Sequence, residues 1–349
     1  MVAKICATCG GGQNKRQNYC ADCTISAIRF MAMSFIICCH IMQYLNLELA
    51  WWFNVGVQIF LCISGYLYGQ RCIGDITIFY ARRFKKILLP YYIVFILYGT
   101  LQFLFARNIF TFSAFFRGLL LNTTLQGAGH LWFVPTILMC YVITPLLEKY
   151  RDKYVTSGKC LFIYVVISVM IVSLFYGGFA RFYNPAWISC YVIGYVLGIN
   201  KEKNFIKQHY IDIMLVIVAV CGNSLQIYFS YVADKTFPGY SFFCDYNHVA
   251  LGICIFLLLH RLFNQINFTK LKKFFEVTDK HSYEVYLVHH LIILGPFSLM
   301  QLTAITSLNI VVILVLIAIM AFVLAQLECL IRSMFNQITQ ESKTKNTNQ

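Results

Sequence analysis

Arg29 and His40 bracket the stretch RFMAMSFIICCH, in which Ser34 and two cysteines are the only other residues that are not plainly apolar. An imidazole can take or give a proton or attack a carbonyl, and a guanidinium can hold an anion or a polar group in place. The two are eleven positions apart, which on an α-helix leaves them only about 20° apart around the axis and roughly 16 Å apart along it. A lone arginine near a helix end ordinarily reaches for the headgroups, and a lone buried histidine ordinarily makes a structural hydrogen bond. An aligned pair must face the interior of a bundle together. Further polar side chains interrupt apolar stretches: Ser64, beside Gly65; His130, beside Trp132; Asn223, Ser224 and Gln226; Asp245 and His248; and Glu284, His289 and His290 in SYEVYLVHH. Ionisable groups at membrane depth are costly and usually functional, so together these residues suggest a polar path.

A second constellation lies at the N-terminus. Residues 6–23 read CATCGGGQNKRQNYCADC, two Cys-x2-Cys pairs separated by ten residues. Cys6, Cys9, Cys20 and Cys23 at this spacing can deliver four thiolates to one structural Zn2+, with Gly10–Gly12 allowing the tight turn beneath it. Four cysteines leave no open position for catalysis, and free or redox-active thiols are the alternative. The segment is too small for an apolar core, so the metal would be its fold. A cytosolic protein partner is the plainest use for such a zinc ribbon.

The elements that must position these groups are membrane spans. Of 349 residues, 59% are hydrophobic and 12% charged, against about a quarter charged in soluble domains. The mean hydropathy is +0.68. Ten windows are long enough to cross a bilayer: 25–46, 50–70, 87–106, 129–148, 160–180, 184–200, 211–233, 246–263, 282–303 and 309–333. The piece at 109–121 is short enough to be re-entrant or interfacial. The expected fold class is therefore an all-α polytopic membrane helix bundle. With both termini in the cytoplasm, 24 of the 28 basic residues fall on the inner side, as the positive-inside rule requires. The net charge of +14 is then topology signal and attraction to membrane lipids, with no need for nucleic acid. The first span is not expected to be a cleaved signal peptide, because a Cys-rich head precedes it.

Three units follow: a zinc ribbon over 1–24, a membrane domain over 25–335 and a polar, disordered tail over 336–349. Within the membrane domain, DITIFYARRFKKILLP (75–90) reads as an amphipathic cytoplasmic helix that runs into the third span at Pro90. Its basic face is a headgroup anchor or a receptor for a phosphorylated substrate.

Five motifs in this order resemble the acyltransferase-3 family of bacterial integral membrane acyltransferases: R-x10-H (Arg29, His40), GVQIFLCISGYLYG, FYARRFKKILLPYY, GHLWFVPTILMCY and SYEVYLVHH. The resemblance covers about residues 25–335. It implies a ten-span bundle in a bacterial plasma membrane. It also implies O-acylation, most often O-acetylation, of an extracytoplasmic glycan or lipid-linked sugar, with cytoplasmic acetyl-CoA or another acyl-CoA as donor. Carried onto this chain, His40 is the essential histidine and Arg29 its partner, while Arg82, Arg83 and Lys86 match the stretch thought to contact the donor. Lys86 stands where many relatives have arginine. Ser64, His130, Trp132, Glu284 and His289 are candidates for the substrate path. No fused periplasmic hydrolase-like domain is expected. A transporter or flippase of a cell-envelope precursor, lining a path with the same residues, is the alternative from composition. A zinc-ribbon scaffold with an inactive bundle is a third reading.

Overall fold

The computed structural model describes residues 23–149, 151, 185–199, 209–233 and 237–347. They form twelve α-helices and no strand among the described residues: α1 (Cys23–Tyr44), α2 (Ala50–Phe53), α3 (Gly56–Gly69), α4 (Ile76–Phe105), α5 (Phe112–Leu119), α6 (Phe133–Lys149), α7 (Pro185–Ile199), α8 (His209–Ile227), α9 (Tyr240–Asn264), α10 (Lys272–Lys280), α11 (Ser282–Ile293) and α12 (Thr306–Thr347). A 3-10 turn over Gly129–Trp132 leads into α6, and a single π-turn over Tyr228–Val232 closes α8. Among the described residues seven segments are long and apolar enough to cross a membrane, and Ala186–Ile199 is a shorter apolar helix. The all-α membrane bundle is as expected. The expected span at 160–180, the zinc-ribbon cysteines Cys6, Cys9 and Cys20, and the last two residues of the tail lie outside the described residues.

Helix α3 is the hub. Gly65 and Gly69 on α3 face Gly194 and Gly198 on α7, four residues apart on each helix. A Cβ on Gly65 would lie 1.9 Å from the Tyr191 carbonyl oxygen, and one on Gly194 would lie 2.1 Å from that of Cys62. In lipid no hydrophobic force drives helices together, so close backbone approach through small residues does that work. On its other faces α3 meets α1, where Gly56 lies against Ala32, and α9, where Gly252 lies against Gln58.

Helix α4 joins the basic segment to the third span without a break. Asp75 caps it, its carboxylate accepting from the Ile78 amide at 2.8 Å. Pro90 sits inside and withholds an amide donor. Neighbouring helices donate to the carbonyls of the turn before it: Tyr283 Oη to Ile87 at 3.0 Å and Arg332 Nη2 to Lys85 at 3.3 Å.

The chain after α4 returns alongside it. Tyr91 and Tyr92 donate to the carbonyls of Gly118 and Leu119 at 2.6 and 3.1 Å, and Tyr98 and Gln102 both donate to that of Gln126. The expected interfacial piece is thus α5, folded against α4. The return delivers Gly127 and His130 to the bundle interior.

The expected continuous span at 282–303 is corrected by the structure. Helix α11 stops at Ile293 and turns follow. Pro296 lacks an amide donor and disfavours helix at Gly295 before it. The turn packs on Gly127, whose φ of +78° suits glycine and whose Cβ would lie 2.6 Å from Gly295 Cα. Two irregular backbones thus meet inside protein, the only place a membrane tolerates them.

Gly65→Val is expected to cost at least about 3 kcal/mol by forcing α3 from α7, read as a fall in thermal midpoint in detergent. Gly129→Ala, where nothing lies within 4 Å of the new Cβ, should leave that midpoint unchanged.

Candidate active site

One face of α1 presents Arg29, Met33, Ile36 and His40 in succession, the order the helical arithmetic requires. The first three line a cavity of about 610 Å³. Arg71, Arg83, Lys86 and Lys280 line it at the basic end of the bundle. Arg83 is held over the ring of Tyr68, 4.9 Å from its centre, and near that of Tyr141. Arg82 does not reach this cavity; it lines a neighbouring one of about 290 Å³ with Arg71, Asp75 and Arg83. Ser64 and Glu284 also line the large cavity. The Ser64 hydroxyl is turned back on its own helix, donating to Phe60 at 2.9 Å. Glu284 is buried, and its Oε2 has no hydrogen-bond partner among the described residues.

Arg29 is paired. Its Nη1 lies 2.5 Å from Asp279 Oδ1, and Asp279 Oδ2 accepts from Ser26 Oγ at 3.1 Å. Asp279 stands at the end of α10, which packs on α1 through Phe30 against Phe274 and Phe275, with ring centres 5.1 and 5.9 Å apart.

Furthest from the basic end, Met33, Ile36, Phe133 and Tyr286 make the cavity apolar. Tyr286 is shared: its ring centre lies 5.5 Å from that of His130 and 5.7 Å from that of His289, and its hydroxyl donates to the His130 carbonyl. Beyond it stand four histidines. His40 is 5.1 Å from His289 and 4.6 Å from His290, ring centre to ring centre, and His130 stacks on His290 at 4.5 Å. They come from α1, the 3-10 turn and α11. His130 and His289 are buried, whereas His40 and His290 keep accessible surface.

Their hydrogen bonds fix their protons. A carbonyl oxygen only accepts, so a ring nitrogen facing one must carry the hydrogen. Nδ1 of His289 faces the Tyr286 carbonyl at 2.7 Å, Nδ1 of His290 that of Gly127 at 2.7 Å, and Nε2 of His130 that of Leu287 at 3.1 Å. His40 Nδ1 likewise faces the Gln43 side-chain oxygen at 2.6 Å. Each neutral ring therefore keeps one nitrogen as a bare acceptor: Nε2 on His40, His289 and His290, and Nδ1 on His130. Among the described residues no three His, Cys, Asp or Glu side chains are placed to hold a metal ion. The cluster presents one bare ring nitrogen per histidine.

Not every polar residue joins this path. Trp132 turns away from the histidines onto Trp187, with ring centres 3.8 Å apart. Asn247 donates to the Gly222 carbonyl and the Gln226 side chain, linking α8 to α9. His248 packs on Trp51 and Trp52.

The family model described as an acyltransferase domain matches residues 24–327. The chain belongs to the acyltransferase-3 family. Neither the curated proteins nor the solved structures compared with it give a match. This family member is a multi-pass membrane protein with an acyltransferase domain, which decides against the transporter reading.

Asp279 and Tyr286 escaped the sequence reading. Asp279 lies in a charged stretch, DKHS, outside every apolar window, so nothing local ties it to a residue 250 positions away. Tyr286 had a signal, its place three residues before His289 on the same helix face.

Tyr286→Phe removes a buried hydroxyl donor and should lower stability by about 1 kcal/mol, measured as the thermal midpoint in detergent, with the protein still inserted in the membrane.

Proposed function

We propose that this acyltransferase moves an acyl group, in the first place acetyl, from cytoplasmic acyl-CoA to a hydroxyl of an extracytoplasmic glycan or lipid-linked sugar in a bacterial plasma membrane. The observation that carries this reading is the single α1 face that runs from a cation-lined cavity to a cluster of bare imidazole nitrogens. The cavity grades from charged to apolar in the same order as an acyl-CoA, whose phosphates lie at one end and whose thioester lies at the other. Arg83, Lys86 and Arg71 would meet the phosphates, with Arg82 in the adjoining cavity as an outer contact. The thioester would lie toward Tyr286, and His40 and His290, which keep accessible surface, would meet the acceptor.

In the direct route the acceptor hydroxyl attacks the thioester carbonyl while His40 Nε2 takes its proton. Gln43 holds the other ring nitrogen and so fixes the tautomer that makes Nε2 the base. The carbon–sulfur bond then breaks, and the CoA thiolate recovers that proton. In the relay route Nε2 itself attacks, CoA thiol leaves, and the acyl-imidazole is opened by the hydroxyl on the far side. The three neighbouring imidazoles offer further acceptor nitrogens for the proton in either route. With both termini cytoplasmic, the basic end of the bundle faces the donor.

His40→Ala is expected to abolish transfer of radiolabelled acetyl from acetyl-CoA to envelope glycan, by at least about 100-fold, with normal membrane insertion. Normal labelling by that variant would refute the mechanism. The joint change Arg83→Ala and Lys86→Ala should raise KM for acetyl-CoA about tenfold with kcat little changed. For the N-terminal cysteines we propose a structural zinc site. Metal analysis of the purified protein should find one zinc per chain, lost when Cys6 and Cys9 are replaced by serine.

A further inference from the structure

We propose that Arg29, Asp279 and Glu284 form a polar collar that recognises the amide-bearing arm of the donor thioester, between the phosphate contacts and the apolar end of the cavity. The inference rests on the acyl-CoA reading above.

The collar is built from three elements that meet at the cavity wall: the second turn of α1, the last turn of α10 and the first turn of α11. Its hydrogen-bonding capacity is only partly used. Arg29 spends only Nη1, on Asp279, so Nε and Nη2 have no partner among the described residues, although a guanidinium carries five N–H donors. Glu284 is 9% exposed, lines the same cavity, and leaves Oε2 without a partner. Unfilled donors and an unfilled buried acceptor on one cavity wall call for a ligand that supplies both complements. An amide does so: its carbonyl accepts from Arg29 and its N–H donates to Glu284.

Charge excludes the other obvious occupant. Asp279 cancels the charge of Arg29 at 2.5 Å, and Glu284 adds a second carboxyl. A phosphate here would gain Arg29 but face two acidic groups, whereas Arg83, held over the rings of Tyr68 and Tyr141 in the same cavity, has no carboxylate of the described residues at ion-pair distance. Position agrees. Along α1, Arg29 lies one turn before Met33, and on α11 Glu284 lies two residues before Tyr286, so the collar directly precedes the apolar end. Asp279 is thus a positioning residue: by holding Nη1 it fixes the plane in which the remaining guanidinium donors face the cavity.

The test uses the full-length protein in proteoliposomes and three acetyl donors. Acetyl-CoA has phosphates and amides, S-acetylpantetheine has amides alone, and S-acetyl-2-mercaptoethanol has neither. Glu284→Leu should raise KM about tenfold for both amide-bearing donors, the loss of one good hydrogen bond, with kcat within about twofold. It should leave the rate with the amide-free thioester at the wild-type value. Glu284→Gln, which keeps an acceptor oxygen, should restore most of the affinity, and Asp279→Ala should follow Glu284→Leu. Equal losses on all three donors would make these residues structural or catalytic and overturn the collar. A loss confined to acetyl-CoA would make this a phosphate site and overturn it equally. Wild-type protein that accepts none of the three donors would refute the acyl-donor reading itself, and the collar with it.

Discussion

The contact on which the bundle depends is the crossing of α3 and α7, where four glycines let two backbones touch. Everything at the site is hung from α3 or from a helix it supports. α1 lies against it through Gly56 and Ala32, which sets the rotation of the face carrying Arg29 and His40. α9 lies against it through Gly252. Because dispersion at short range replaces the hydrophobic effect in lipid, a single added carbon at this crossing would be felt by every element of the site.

The second organising feature is a meeting of two interruptions. One is the return of the chain along α4, held by tyrosines that donate to carbonyls; the other is the stop of α11 at Gly295–Pro296. Each exposes backbone that lipid would not tolerate, and each supplies part of what the other needs. The carbonyl of Gly127 goes to His290, and that of Leu287, inside α11, goes to His130. The histidines thus serve the fold with one nitrogen and leave the other bare.

What was legible in the sequence was local or periodic. The common face of Arg29 and His40 follows from eleven steps of a regular helix, and the spans follow from runs of apolar residues. What was not legible needed long-range geometry. Asp279 reaches Arg29 only because α10 folds back onto α1. The hydropathy of 282–303 is that of a span, and it conceals a helix of twelve residues because hydropathy counts side chains and ignores a proline's missing donor. Grouping the polar residues into one path was too generous: His248 and the Asn247–Gln226 pair belong to other interfaces, whereas His40, His130, His289 and His290 do converge.

The shared position of Tyr286 has a consequence for the membrane as an insulator. Tyr286 and Phe133 line the cavity, and the ring of Tyr286 packs on His130 and His289, so it belongs to both. A bilayer holds back ions by thickness, and a cavity of about 610 Å³ inside the bundle takes part of that thickness away. An acyl group is neutral and can pass such a ring without carrying charge. A phosphate or a hydrated ion cannot, so on the proposed reading the ring that the acyl group passes would also hold back ions.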